Sequence, residues 1–173
     1  MTRKGGSVEH LPAAGEGKRG EEGHLGYLLR QASGAYRLKL ERAFADLGVT
    51  PPQFAVLTMI VAYPGISGAE IARLAVLTPQ TVSVIVGNLL RAGWIERTAH
   101  EVHGRIQRLE ATASGRKVLA RCRARVVTID RRLLEGIGAA EERTIRRWLV
   151  AVALAGEEPG SSRRGARGRR VRG

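Results

Sequence analysis

The chain holds one cysteine, Cys122, which excludes a disulfide framework and a four-cysteine zinc site. Aromatic residues are scarce at 4%, too few for the stacking platforms that grip single-stranded nucleic acid. No apolar run approaches the ~20 residues a membrane span needs. There is no P-loop, no GxSxG, no HExxH and no carboxylate pair placed for acid–base work, so no enzyme is expected. The first 23 residues lack an apolar core segment and are not expected to be a signal peptide. Acidic residues are also short, 16 against 29 Lys and Arg, which leaves a formal charge of +13. That surplus favours a polyanionic partner, either nucleic acid or an acidic surface. The expectation is a soluble, reduced, cytoplasmic protein without a cofactor.

A length of 173 residues fits one domain with tails. Residues 1–23 and the Arg-rich stretch 156–173 have charge and glycine without apolar periodicity, and both are expected to be disordered. Between them, residues 24–155 repeat apolar side chains at helical spacing. Leu25, Leu28, Leu29, Ala32, Tyr36, Leu40, Phe44 and Leu47 predict a first helix ending at Gly48. Thr50-Pro51 caps a second, whose buried face is predicted to be Phe54, Leu57, Ile60 and Val61 and which Pro64-Gly65 stops. Ser67-Gly68-Ala69-Glu70 is a capping box opening a short helix with Ile71 and Leu74 inward. Thr78-Pro79 caps another, with Val82, Ile85, Val86 and Leu89 as one stripe and Gly93 as its left-handed end.

After Gly93 the period changes to alternation. Residues 94–97 and 105–110 read as a two-stranded hairpin with a long polar tip. Leu119, Cys122, Val126, Ile129 and Leu133 then repeat at three and four, the seam of a helix lying along another helix. Gly136 and Gly138 break it. A last helix carries Ile145, Trp148, Leu149 and Val152.

Three short helices followed by a hairpin form a winged helix-turn-helix. Its second helix, 79–92, can enter a major groove. The outward face of that helix holds Gln80, Thr81, Ser83, Val84, Gly87, Asn88 and Arg91, with no Asp or Glu, so it can approach phosphates. Gln80 and Asn88 suit adenine edges, and Val84 a thymine methyl. Thr81, Ser83 and Arg91 suit the backbone, and Ser67, at the start of the preceding helix, is a further candidate DNA contact. Arg105 near the hairpin tip suits a narrow minor groove.

With "LGVTPPQFAVLTMI", "SGAEIARLAVLTPQTVSVIVGNLLRAGWIER" and "RLEATASGRKVL" in this order, residues 24–155 resemble the MarR family of bacterial transcription regulators. The resemblance implies a mainly α fold. A winged helix-turn-helix with a two-stranded β wing (about 50–112) would join terminal helices (24–48 and 113–155) that form a dimerisation region. It implies a homodimer on pseudo-palindromic duplex DNA, acting as a repressor released by a small ligand. Leu119, Cys122, Val126, Ile129, Leu133 and Trp148 are the expected dimer residues. Two positions depart from the family pattern. His103 stands where an Asp usually precedes the wing arginine, and Val84 stands where the reading helix often has Arg, which implies an A/T-rich site.

Other readings compete. A basic helical protein that binds RNA, a membrane surface or a protein partner would share the charge. Cys122 sits on an apolar seam, as an inert thiol would, although Arg121, Arg123 and Arg125 flank it. His100, Glu101 and His103 lie on the polar tip with no fourth ligand nearby, so no metal site is assigned.

Overall fold

The computed structural model describes residues 12–99 and 107–155. They divide into two units, one reaching Ile129 and the other starting at Asp130. In order, the elements are α1 (Leu25–Phe44), α2 (Pro51–Ala62), α3 (Gly68–Leu74), α4 (Pro79–Arg91), β1 (Ile95–Ala99), β2 (Gln107–Ala111), α5 (Ala113–Leu133) and α6 (Ala139–Ala155). This is a mainly helical winged helix-turn-helix with one antiparallel two-stranded sheet. No single described helix is long and apolar enough to cross a membrane.

The helix boundaries follow the capping chemistry. α1 tightens into a 3-10 turn over Ala45–Leu47 and stops at Gly48, whose φ of 65° is left-handed. The Thr50 side chain accepts from the Gln53 N–H, and the Gln53 side chain accepts from the Thr50 N–H at 2.9 Å, which satisfies two orphan donors at the start of α2. Ser67 and Glu70 do the same for α3. At the end of α4, the Gly93 N–H donates to the Leu90 carbonyl and the Trp94 N–H to the Leu89 carbonyl, both at 3.0 Å. That pair of bonds, with Gly93 at φ 67°, is a Schellman end.

Two clusters make the core of the first unit. One joins α2, α3 and α4 to the wing base and Leu119. The other packs Leu40, Phe44, Leu47 and Val49 around Cys122. Phe54 and Trp94 border both, and the Phe44 and Phe54 rings meet tilted at 5.2 Å between centroids. Burial of these apolar side chains, at about 25 cal/mol per Å2, is what fixes the winged unit on α1 and α5.

Two expectations need correction. Leu74 is exposed; Ala72 is buried instead, and Leu77, whose N–H reaches the Ala72 carbonyl at 2.9 Å, packs on the core from beyond the turn. A seven-residue helix ends before Leu74 can rotate inward, so the chain returns its apolar side chain after the turn. On α2, Val56 is buried alongside the predicted Leu57 and Ile60, while Phe54 and Val61 are only partly buried. The seam of α5 is not uniform either. Leu119 and Cys122 are buried within the chain itself, and Val126 and Ile129 pack against the α1 cluster, so this stretch closes the chain's own core. Residues 12–23 hold a 3-10 turn at Gly17–Arg19, tied by the Arg19 guanidinium to the Pro12 carbonyl at 2.8 Å. Its hydrogen bonds are local and none of its turn residues is buried.

In the second unit, α6 carries no buried residue. Trp148 (37% exposed), Leu149 and Val152 lie along it, and Leu133 at the end of α5 is 44% exposed.

Candidate nucleic-acid interface

α4 is held by one side and open on the other. Val82, Ile85, Val86 and Leu89 are all buried, as their spacing predicts. Its start is capped by Thr78, whose hydroxyl accepts from the Thr81 N–H at 3.1 Å and lies 2.8 Å from the Thr81 hydroxyl. Gln80, Thr81, Ser83, Val84 and Arg91 are exposed, Val84 to 64%. The helix contains no Asp or Glu, so nothing on its open face repels a phosphate.

Asn88, Arg91 and Ser67, all expected to contact DNA, are engaged within the protein. The Arg91 guanidinium donates to the Asn88 side-chain carbonyl. It lies over Gly87, where an added Cβ would sit 3.7 Å from its Nη1. Asn88 therefore orients Arg91 and keeps its amide donors and one carbonyl lone pair for a partner. Ser67 is similarly occupied: its hydroxyl donates to the Glu70 carboxylate at 2.7 Å while accepting from the Glu70 N–H at 3.2 Å. The hydroxyl and, second, the backbone N–H of Ser67, both donating to the Glu70 carboxylate, lower its pKa. Ser67 is exposed, beside the open end of α3.

The wing pairs Ile95 with Ala111 and Arg97 with Leu109. Ile95 and Ala111 are buried, which sets the inward face of the hairpin and places Arg97 and Leu109 one step further out on that same face. Both line a cleft that also borders Ser83 of α4. Arg97 was missed in the sequence, although alternation counted from Ile95 gives its side. Arg105 and the tip residues His100, Glu101 and His103 lie outside the described residues.

Behind the interface, three elements share one joint. The Thr112 hydroxyl donates to the Gly93 carbonyl at 2.7 Å and accepts from the Gly115 N–H at 3.0 Å, capping α5. The Thr112 N–H donates to the Trp94 carbonyl at 3.0 Å. The end of α4, the base of the wing and the start of α5 are thus tied by hydrogen bonds within a few residues. In the turn between α3 and α4, Val76 has φ 53° and is 90% exposed, a left-handed conformation that a β-branched residue rarely adopts.

Comparison with known proteins agrees with this arrangement. The sequence pattern of the MarR family matches residues 47–106. The HTH-type transcriptional repressor Rv2887 of Mycobacterium tuberculosis is 36% identical over 129 residues, covering 75% of this chain and 93% of that protein. The chain belongs to the MarR family. Within the family, a crystal structure of the M. tuberculosis protein Rv2887 with p-aminosalicylic acid superposes with a TM-score of 0.63 at 34% identity, over 75% of this chain and 98% of that one. A structure of the same protein in complex with DNA gives 0.60 at 32% identity, over 75% and 97%. The matched MarR segment runs from before α2 to the wing, the stretch that carries the open face of α4.

Proposed function

We propose that the protein is a dimeric transcriptional repressor that binds duplex DNA sequence-specifically and is released by a small aromatic carboxylic acid. The observation that carries this reading is the open face of α4: exposed, free of carboxylates, and held rigid by four buried apolar side chains. The repressor name and DNA complex of the mycobacterial relative support it. Gln80, Val84 and the Asn88–Arg91 pair read bases in this proposal. Thr81, Ser83 and Ser67 meet the backbone, and Arg105 enters the minor groove. The role is regulation rather than catalysis, exercised in the cytoplasm where the DNA is.

A second copy of the chain supplies the other half of the reading unit. Its contact involves Leu133 and Trp148, whose apolar side chains are left exposed; of the other expected dimer residues, Leu119 and Cys122 are buried in the first unit's core and Val126 and Ile129 pack against it. In domain terms, 24–48 and 113–155 serve dimerisation and 50–112 serves DNA. The effector class follows the p-aminosalicylic acid complex of the relative.

The test is selection of bound duplexes from a random pool, with sedimentation of the free protein. Expected are a palindromic motif with half-sites about one helical turn apart, a mass twice the 18.7 kDa of the chain, and release from that duplex by added p-aminosalicylate. Recovery of no common motif would remove the reading in favour of a non-specific polyanion binder.

A further inference from the structure

The wing is a two-stranded hairpin, an element only marginally stable by itself. Buried Ile95 and Ala111 fix its base. On the other face Glu96 stands directly opposite Glu110, a like-charge pairing that weakens a hairpin. The next pair on that face is Thr98 and Arg108, about 10 Å beyond Ile95 along the strand. Neither residue is buried, so the core does not hold this outer stretch.

A side chain holds it instead. β2 packs beside α2, and from β2 the Arg108 side chain lies across Gly65 in the turn between α2 and α3. A Cβ added to Gly65 would meet Arg108 at Nε (3.3 Å), Cδ (3.5 Å) and Cζ (3.6 Å), so these bonded atoms lie flat on the turn. Gly65 has φ 84°, a left-handed conformation that suits glycine, and its missing side chain leaves the seat that Arg108 fills. Resting on the DNA-binding reading above, we infer that Arg108 is a positioning residue for DNA binding. Seated on Gly65, it pins the outer wing to the turn before α3 and fixes the angle between wing and α4 in the free protein. A wing ordered in advance spares the complex the entropy of ordering it on the duplex.

The experiment uses the full-length protein, first free and then with the duplex recovered from the random pool. In the free protein, Arg108→Ala should speed amide hydrogen exchange at Glu96, Thr98 and Glu110, while Val86 and Leu89 of α4 keep their wild-type rates. On the duplex it should bind roughly tenfold more weakly, and Arg108→Lys, which keeps most of the stem, should recover much of that loss. Gly65→Ala changes no charge but fills the seat. It should weaken binding of the wild type and add nothing to Arg108→Ala, because the strain of its left-handed backbone is common to both backgrounds. Should Arg108→Ala fail to fold, Arg108→Gln takes its place in the same cycle. Wild-type exchange in the wing would make any lost affinity a direct phosphate contact and overturn the inference. Additive losses from the two substitutions, or full binding by a loosened wing, overturn it as well. All three leave the repressor reading intact; a wild-type chain that enriches no duplex overturns both.

Discussion

Arg125 of α5 grips Asp46, just beyond α1, through two hydrogen bonds, one of 2.8 Å from Nη2 to Oδ2, and it also donates to the Ala43 carbonyl. The side chains come from positions 79 residues apart, so the pair fastens α5 across the end of α1 beside the Cys122 cluster. The hydrogen bonds from Arg125 hold the Asp46 carboxyl at about 2, below its ordinary 3.8. Because the folded value is the lower one, the stabilisation is complete above about pH 4 and is lost as pH falls toward 2. Asp46 is 63% exposed at its side chain, so salt screens the effect. Asp46→Asn should therefore melt less steeply with acid over pH 4 to 2 than the wild type at low salt. Parallel melting curves for the two proteins across that window would show the pair to be idle.

Gly115 touches the wing base. A Cβ there would lie 1.9 Å from the Trp94 carbonyl oxygen, well inside contact distance. Alanine normally favours a helix by about 1 kcal/mol over glycine. Here Gly115→Ala should instead destabilise by about 1–3 kcal/mol, as overpacking does, measured by urea unfolding. A stabilised variant would mean that α5 can move off the wing freely.

Val76 gives the opposite sign. Its left-handed backbone costs roughly 1–2 kcal/mol for a residue with a Cβ, against about 0.5–1 kcal/mol of chain entropy lost by glycine. Val76→Gly should raise stability by about 0.5–1 kcal/mol while leaving the fluorescence of Trp94 unchanged. A drop in the urea midpoint would show that the exposed valine contributes packing after all.

Gln80 and Asn88 should separate in DNA binding. Gln80 is exposed with no part in the Asn88–Arg91 contact, so Gln80→Ala should cost about 1–3 kcal/mol at one base pair per half-site and little elsewhere. Asn88→Ala also releases the Arg91 guanidinium, and its loss should spread over neighbouring positions and raise salt dependence. Identical base-by-base profiles for the two variants would contradict the positioning role of Asn88.

What could be read from the chain divides by range. The caps at Thr50, Ser67 and Thr78, the Gly93 end and the α4 stripe are local chemistry, legible within a few residues. Leu74 and Leu77 compete for one inward site, and only the path of the turn decides between them. The α5 seam announces helix packing without naming its partner, and the structure assigns Cys122 to α1 of the same chain. Burial there raises the thiol pKa despite Arg121 and Arg125, the reverse of what a reactive thiol needs. Arg125–Asp46 and Gly115–Trp94 have no periodic signature because each joins residues distant in sequence. In the site, the open face of α4 was legible, and alternation from Ile95 gives the side of Arg97; the folding back of Arg91 onto Asn88 was not legible.

The Thr112 joint anchors the rear end of α4. With thirteen residues, α4 is about 20 Å long, so a tilt of about 10° at Gly93 sweeps its leading tip through about 3.5 Å. That sweep is comparable to the rise between stacked base pairs. In the repressor reading, the Thr112 joint and the buried stripe of α4 matter because they resist a tilt of that size.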